Sequence, residues 1–415
     1  MPFVHELAQW VHDFDAASIP EPVIQKTNAH LLDSLGCAFG ALEEAAPRGT
    51  LRAVQALGGT PECTVIGHPF RTNVAGAVLA NGVLVRTLDL NDLATGWGGA
   101  GHPSDMIPVA LAMGERVDAP GRDVLAAIVL SYQIASRIPS RPDGGENSWD
   151  GATGTGVVAS AVAGWLLKLS PERLANAMAL GISHSGTLSI VRRGQLSAAK
   201  SLASSMAART AVTATLMAAE DVTGPPTALE EWSRATLGSA DLAPMIAPLT
   251  GDYGIMSVGL KAHPCIGTAQ TAVEAALRVR ATLPDPLPEI ERVEIRMADI
   301  PFVRSQVADQ ERRNPTTRET ADHSFPFLVA VALLDGELIR PVEDRSDLRK
   351  VQAEVLEHVR VLRPLSRKQE RKLAIRDQRL LKEVQPPYVF DLSALRVCQP
   401  LSTLCQLLPK ILYGG

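Results

Sequence analysis

Long apolar segments made almost entirely of small residues recur along this chain. Residues 74–85 and 107–113 are two of them, residues 157–169 are apolar all round, and residues 197–219 are rich in alanine. Hydrophobic residues make up 46% of the chain, whereas aromatic residues make up only 4%. A helix that is apolar on every side must be buried, and small side chains allow helices to pack closely. We therefore predict a mainly α-helical protein.

The sequence pattern changes near Lys261. Beyond it, residues 290–297 and 359–361 have the alternation of β-strands, and residues 269–281 and 321–334 have helical periodicity. A chain of 415 residues is long enough for two domains. We predict a large all-helical domain over residues 1–260, a smaller α+β domain over residues 261–390, and a C-terminal tail over residues 391–415.

Polar chemistry is concentrated in the loop between the first two apolar segments. This loop contains Asp89, Asp92, His102, a glycine-rich stretch at residues 96–101, and Ser104 with Asp105 where the next helix should begin. An imidazole can move a proton near neutral pH, and free N–H groups at a helix start can hold an anion. Aspartates commonly cap helices, so a polar loop with a purely structural role is an open alternative.

Charge, hydropathy and cysteine spacing argue against several classes of protein. The net charge of −5 is small for this length, which argues against nucleic acid or an anionic membrane as a partner. No stretch reaches about 18 consecutive apolar residues and the N-terminal segment lacks a secretory pattern, so we expect a cytoplasmic protein. The five cysteines lack metal-ligand spacing, and we expect them to be reduced thiols.

Further along the chain, four residues are candidate contacts of an anionic substrate. Lys200 lies among small residues, which is unusual because most lysines take the solvent face. Arg192, in the polar loop before it, could bind a carboxylate through two N–H groups. Lys261 begins the second predicted domain, from which its charge could reach a shared cleft. His323 fits either a substrate contact or a hydrogen-bonding residue at a helix start.

Separated motifs in a consistent order also carry a resemblance to a known family. They are LDLND at residues 88–92, GHPSDMIP at 101–108, VRRGQLSAAK at 191–200, LKAHP at 260–264 and NPTTRETADHSFPF at 314–327. Together they resemble the MmgE/PrpD family, and the last motif is most similar to its 2-methylcitrate dehydratase branch. The resemblance implies a helical body with a smaller α+β lid, a homodimer, and a cofactor-independent lyase that dehydrates a tricarboxylate such as 2-methylcitrate.

The resemblance also implies roles for individual residues. Asp89, His102 and Lys200 would be catalytic, with His102 transferring the proton and Asp89 either orienting His102 or acting as a base. The substrate would be a small di- or tricarboxylate, and no metal or organic cofactor is implied. The residues expected to bind it are Asp92, Ser104, Arg192, Lys261 and His323.

Two positions depart from the family pattern. Gly151 and Thr268 stand where dehydratases of this branch tend to have histidines, and the ending over residues 391–415 is atypical. Glycine and threonine cannot transfer protons at neutral pH, which puts the dehydratase activity in doubt. Two alternatives therefore stay open. One is a related cis-aconitate decarboxylase- or epimerase-like enzyme, and the other is a catalytically silent binding or oligomerisation module.

Overall fold

The computed structural model describes residues 1–94, 101–139, 148–246, 253–285, 293–295, 297, 301–338 and 359–361. Its described part is mainly helical, which confirms the predicted fold class. The helices of the first 240 residues are Phe3–His12 (α1), Glu21–Gly40 (α2), Ala45–Leu57 (α3), Val74–Thr87 (α4), Ile107–Arg116 (α5), Gly121–Ala135 (α6), Thr155–Leu166 (α7), Pro171–His184 (α8), Ala199–Ala219 (α9) and Ala228–Thr236 (α10). Those that follow are Gln270–Arg280 (α11), Pro301–Ala308 (α12), Arg318–Ala321 (α13) and Phe325–Asp335 (α14).

Capping side chains start several of these helices. The side-chain oxygen of Asn73 accepts a hydrogen bond from Gly76 N at the start of α4, and Ser170 does the same from Arg173 N in α8. Ser324 caps α14 in this way, and Gly336 ends that helix in the left-handed conformation, with φ of 71°. These caps satisfy N–H and C=O groups that have no partner within a helix.

The main hydrophobic core lies among the helices of the first part of the chain. α7 and α9 are central, since both pack against α8 and α9 also packs against α4. Almost every residue of α7 is buried, as its all-round apolar sequence predicts. This core extends from Val4 in α1 to Val258. A two-stranded antiparallel hairpin, Cys63–Thr64 (β1) with Arg71–Thr72 (β2), lies beside it.

A second hydrophobic core is built from residues between Cys265 and Leu338. In it α11 packs against α14, beside a parallel pair of strands, Val293–Ile295 (β3) and Val359–Val361 (β4). Val293 pairs with Val359 in this register. Parallel strands need a long connection, and α12, α13 and α14 lie between these two. The domain limits stay a prediction, and the tail at 391–415 lies outside the described residues.

Two further expectations concern membrane spans and cysteines. Among the described residues, no helix combines the length and the apolar character that crossing a membrane requires. Cys37, Cys63 and Cys265 are buried free thiols in the structure. Cys398 and Cys405 lie outside the described residues.

Candidate active site

Asp89 is the centre of a buried charged cluster at the end of α4. The helix stops at Thr87, and Asp89 takes a positive φ of 51°, a conformation that aspartate tolerates better than most residues. The chain turns back there, so that the Asp89 carboxylate accepts a hydrogen bond from the Arg86 guanidinium one turn earlier. Arg86 is itself buried, in a helix made mostly of apolar residues. The turn therefore holds a carboxylate and a guanidinium together away from water.

Two lysines from distant parts of the chain converge on this carboxylate. Lys261 Nζ lies 3.1 Å from Asp89 Oδ1 and donates a 2.6 Å hydrogen bond to the Asp89 main-chain oxygen. Lys200 Nζ, at the start of α9, lies 3.6 Å from Asp89 Oδ2. Lys200 is fully buried, as its small-residue surroundings predict. Asp89 Oδ2 is buried and accepts no hydrogen bond from a described residue.

Asp322 and His323 complete the cluster from the segment between α13 and α14. Asp322 Oδ1 lies 3.3 Å from Lys200 Nζ and is in close contact with His323 Nδ1. The Nδ1–H of His323 therefore donates to Asp322, which leaves its Nε2 3.7 Å from Asp89 Oδ2. Both interpretations of His323 fit this geometry, because it lies beside a helix start and also within the cluster.

Burial and charge act in opposite directions on the pKa values of the cluster. Burial by itself would raise the pKa of Asp89, but Lys200, Lys261 and Arg86 outweigh it and hold that pKa well below its usual value. Burial, together with the charge of Lys200, lowers the pKa of His323 to about 4, so this imidazole is neutral at pH 7. Burial also lowers the pKa of Lys200, against the fields of Asp322 and Asp89. Asp89 is thus a stable anion, which makes it a weak base.

His102 is held by a main-chain oxygen and not by Asp89. Its Nδ1 lies 2.5 Å from the carbonyl oxygen of Asp92, which can only accept, so Nδ1 carries the proton and Nε2 keeps its lone pair. Burial, with the charges of Arg86 and Lys261, lowers the pKa of His102 well below its ordinary value. The hydrogen bond seen on the ring comes from the main chain of Asp92, and a role of Asp89 in orienting His102 stays a prediction. The result is an unprotonated imidazole nitrogen beside a cationic cluster.

The carboxylate of Asp92 has a structural role of its own. It accepts hydrogen bonds from Ser104 N at 3.2 Å, from Ser104 Oγ at 2.5 Å and from Tyr132 Oη at 2.7 Å. His30 Nδ1 lies 3.5 Å away. The N–H that we expected to be free at the start of the short helix Pro103–Met106 is therefore occupied by Asp92. Through Asp92, the contacts of Tyr132 and Ser104 position His102.

We expect Tyr132→Phe to lower the free energy of unfolding by about 2 kcal/mol, the usual contribution of a buried hydrogen bond to a charged group. Desolvation and the charge of Asp92 raise the pKa of Tyr132, so its hydroxyl remains a donor. Tyr253→Phe is a matched control, because the Tyr253 hydroxyl makes a 3.4 Å bond to the neutral Ser18 carbonyl. Urea unfolding of both variants tests this, and equal losses would contradict it.

Asp33, on α2, predicts a pH dependence of stability. Burial and the charge of Asp92 raise its pKa from 3.8 to about 7, against the effect of Lys261. A carboxyl with a raised folded-state pKa stabilises the fold fully below the unfolded pKa, and this stabilisation is lost as pH rises through about 7. The free energy of unfolding of the wild type should therefore fall between pH 5 and pH 8. In Asp33→Asn we expect this fall to be smaller by about 1–3 kcal/mol.

Chemical denaturation at the two pH values measures this difference, with Asp13→Asn at an exposed aspartate as the control. An unchanged pH dependence in Asp33→Asn would show that Asp33 is already ionised in the folded protein at pH 5.

The remaining predicted positions have other surroundings. Arg192 pairs with Asp150 through Nε at 3.1 Å, and its charge acts on the Lys200 pKa. Gly151 is exposed, and an added Cβ would contact no atom within 4 Å. Thr268 donates a 2.8 Å hydrogen bond to Gln306 Oε1. Of the glycine-rich stretch at 96–101, residues 96–100 lie outside the described residues.

Sequence reasoning missed Arg86 and Asp322. The sequence did contain a signal for Arg86. A basic residue next to an apolar segment of small residues is unusual, as it is for Lys200. Asp322 precedes His323 in a recognised motif, but nothing in its neighbourhood indicates Lys200 as a partner. The roles assigned to all eight predicted site residues stay predictions, although Asp89, Lys200, Lys261 and His323 are in contact.

Within the described part of the chain, Asp89, Asp322 and His323 could together offer ligand atoms to a metal ion. The Lys200 ammonium, however, lies 3.6 Å from Asp89 and 3.3 Å from Asp322, and a divalent cation there would be repelled by it. The donor set therefore does not fit a metal, and the prediction of no cofactor is unchanged.

Comparison with known proteins agrees with the motif pattern. A model of the MmgE/PrpD N-terminal domain matches residues 5–240, and one of the MmgE/PrpD C-terminal domain matches residues 263–360. The chain is 26% identical over 384 residues to the cis-aconitate decarboxylase of Mus musculus, covering 86% of this chain and 75% of that protein.

Two fungal proteins have comparable levels of sequence identity to this chain. The chain is 26% identical over 377 residues to the alkylcitrate dehydratase phiI of a fungal species, covering 82% of this chain and 70% of that protein. It is 21% identical over 358 residues to the cis-aconitate decarboxylase of Aspergillus terreus, covering 80% of this chain and 72% of that protein.

Proposed function

Because this chain belongs to the MmgE/PrpD family, we propose that it is a cofactor-independent lyase that dehydrates a tricarboxylate such as 2-methylcitrate. One observation carries the proposal. Nδ1 of His102 donates to the Asp92 main-chain oxygen, which leaves Nε2 unprotonated, and burial with the charges of the buried Arg86 and Lys261 keeps the pKa of the ring low. A neutral base next to fixed positive charge can remove a proton from a carbon that is adjacent to a carboxylate.

In the proposed reaction, His102 Nε2 takes the C–H proton while the C–O bond breaks and the carbon–carbon double bond forms. The departing hydroxyl takes a proton from the Lys200 ammonium and leaves as water. Burial lowers the pKa of Lys200, which makes it a better acid than an exposed lysine. Asp89 Oδ2, which accepts no hydrogen bond from a described residue, is available to orient the substrate hydroxyl. After the products leave, His102 releases its proton and Lys200 takes one up, which restores both groups.

The second candidate keeps the site and changes the reaction to decarboxylation. Relatives from Mus musculus and Aspergillus terreus are named as cis-aconitate decarboxylases, which favours this candidate. Gly151 favours it too, since a dehydratase of the branch described above tends to have an imidazole there. In this reaction a carbon–carbon bond breaks, carbon dioxide leaves, and a site acid protonates the carbon.

An assay of the purified full chain separates these reactions. The panel is 2-methylcitrate, citrate, cis-aconitate and iminodisuccinate, with products identified by proton NMR. Loss of water from either hydroxy acid supports the dehydratase, and carbon dioxide release from cis-aconitate supports the decarboxylase. Turnover of iminodisuccinate alone would support an epimerase. No turnover, with no binding of any of the four, would overturn the enzyme proposal in favour of the silent module.

We also propose that the chain forms a homodimer, mainly through the helical domain. This domain contains many closely packed helices of small residues, and the same kind of helix packing could join two subunits. Sedimentation of the full chain at micromolar and higher concentrations tests this. A monomer throughout the range would contradict it.

Restoring the missing imidazoles should increase dehydratase activity. Gly151→His is sterically open, and combined with Thr268→His we expect it to raise turnover of the hydroxy acid at least about tenfold, within the usual contribution of a proton-transfer group. Gly151→Gln with Thr268→Gln is the control for added polar volume. An equal response of the two double variants would argue that the imidazoles are not what limits the activity.

A further inference from the structure

Arg312, between α12 and α13, is a buried arginine with an unused donor. It is 8% exposed, Nε lies 3.3 Å from Asp309 Oδ2, and Nη2 donates a 3.2 Å hydrogen bond to the main-chain oxygen of Arg192. Its Nη1 is buried and has no hydrogen-bond partner among the described residues. Burying a charged N–H group without an acceptor costs free energy. An anionic ligand that accepts a hydrogen bond from Nη1 would remove this cost.

The charge of Arg312 lies close to the cluster around Asp89. Burial lowers the pKa of Arg312, and the charge of Asp322 is among those that oppose this shift. Arg192, whose main chain Arg312 contacts, acts in turn on the pKa of Lys200. The Arg312 guanidinium therefore lies against the main chain at Arg192, whose own guanidinium is paired with Asp150.

Hydrogen bonds fix these two arginines relative to each other. Thr320 Oγ1 accepts from Leu196 N at 2.8 Å, and Thr317 Oγ1 donates to Leu196 O at 2.7 Å. Gln195 Oε1 accepts from Thr320 Oγ1 at 3.1 Å. The segment after Arg192 is thus bound to the segment after Arg312, so the pair is preorganised for a ligand.

The other cations of the site already have protein partners. Arg86 and Lys261 are paired with Asp89, and Lys200 is shared between Asp89 and Asp322. Arg192 is paired with Asp150. Arg86 also has a buried Nε without a hydrogen bond, but its guanidinium faces two carboxylates, those of Asp89 and Asp105. Among the described residues, Arg312 combines an unmatched Nη1 with a single carboxylate partner, Asp309.

From this difference we infer that Arg312 binds the substrate carboxylate that is farthest from the reacting carbon, and that it selects tricarboxylates over dicarboxylates. The inference rests on the proposed function, since it assumes an anionic substrate at the cluster. A guanidinium holds a carboxylate through charged, directional hydrogen bonds, and a ligand lacking that carboxylate gains nothing from it.

Binding of unreactive acids to the full chain tests this without relying on turnover. Tricarballylate has three carboxylates and no hydroxyl, and glutarate and methylsuccinate each lack one of these carboxylates. By calorimetry, we expect Arg312→Met to raise the Kd of tricarballylate about 10- to 100-fold and that of at least one dicarboxylate less than about threefold. Arg313→Met, at the exposed neighbouring arginine, should change neither.

An unchanged preference for tricarballylate in a folded Arg312→Met protein would overturn the inference, while turnover by the wild type would leave the proposed function standing. Absence of both binding and turnover in the wild type would overturn both. If Arg312→Met does not fold, Arg312→Lys decides, because it keeps the charge and loses the paired N–H groups. We expect the preference of Arg312→Lys for tricarballylate over the dicarboxylates to be several-fold smaller than that of the wild type. An undiminished preference would overturn the inference.

Discussion

We expect His102→Asn to lower turnover of the accepted tricarboxylate by about 100-fold or more, the usual contribution of a general acid–base residue. The asparagine Nδ2 takes the place of the imidazole Nδ1 and can still donate to the Asp92 carbonyl oxygen, which His102 contacts at 2.5 Å. It offers no basic atom in place of Nε2. Because the local hydrogen bond survives, the melting temperature should change little. Steady-state kinetics and thermal unfolding of the same preparation measure both effects.

The pH profile of the wild type gives an independent measure of the same base. Burial and the charges of Arg86 and Lys261 lower the pKa of His102 well below its ordinary value of 6.5. The base must be unprotonated, so kcat/KM should stay constant as pH falls through 6.5 and decrease only in more acidic solution. Activity of His102→Asn close to that of the wild type would instead assign His102 a structural role.

Asp89→Asn should cause a large loss of stability, about 3–5 kcal/mol in the free energy of unfolding. The neutral side chain would leave Lys261 buried without its anion, Arg86 with only Asp105 at 3.9 Å, and Lys200 with only Asp322. Urea unfolding measures the loss. Asp221→Asn, at an exposed pair with Arg173, is the control and should have little effect.

A double variant separates the charge imbalance from the loss of a contact. Adding Lys200→Met to Asp89→Asn removes one of the three cations whose charge Asp89 had balanced, so we expect the double variant to be more stable than Asp89→Asn alone. The single variant Lys200→Met completes the comparison. If the loss of stability in the double variant equals the sum of the losses in Asp89→Asn and Lys200→Met, the Asp89–Lys200 interaction contributes nothing to stability.

Local sequence information was sufficient for most of the helices. Asn73 and Ser170 cap α4 and α8 because a side-chain oxygen needs only the N–H groups of the next turn. The burial of Lys200 was predictable in the same local way, from the small residues on either side of it. The two short strands β3 and β4 were expected from their alternation, although their parallel pairing was not.

The sequence by itself therefore determined the mainly helical fold, the family resemblance and most of the charged residues of the site. Only the tertiary structure decided which of those charges are paired and which residue orients His102. Lys200 meets Asp322 across 122 positions, and Lys261 meets Asp89 across 172. Such contacts depend on how packed helices bring distant segments together in a region without water. No local pattern of residues specifies that arrangement, because local patterns reflect only the interactions within a few turns of chain.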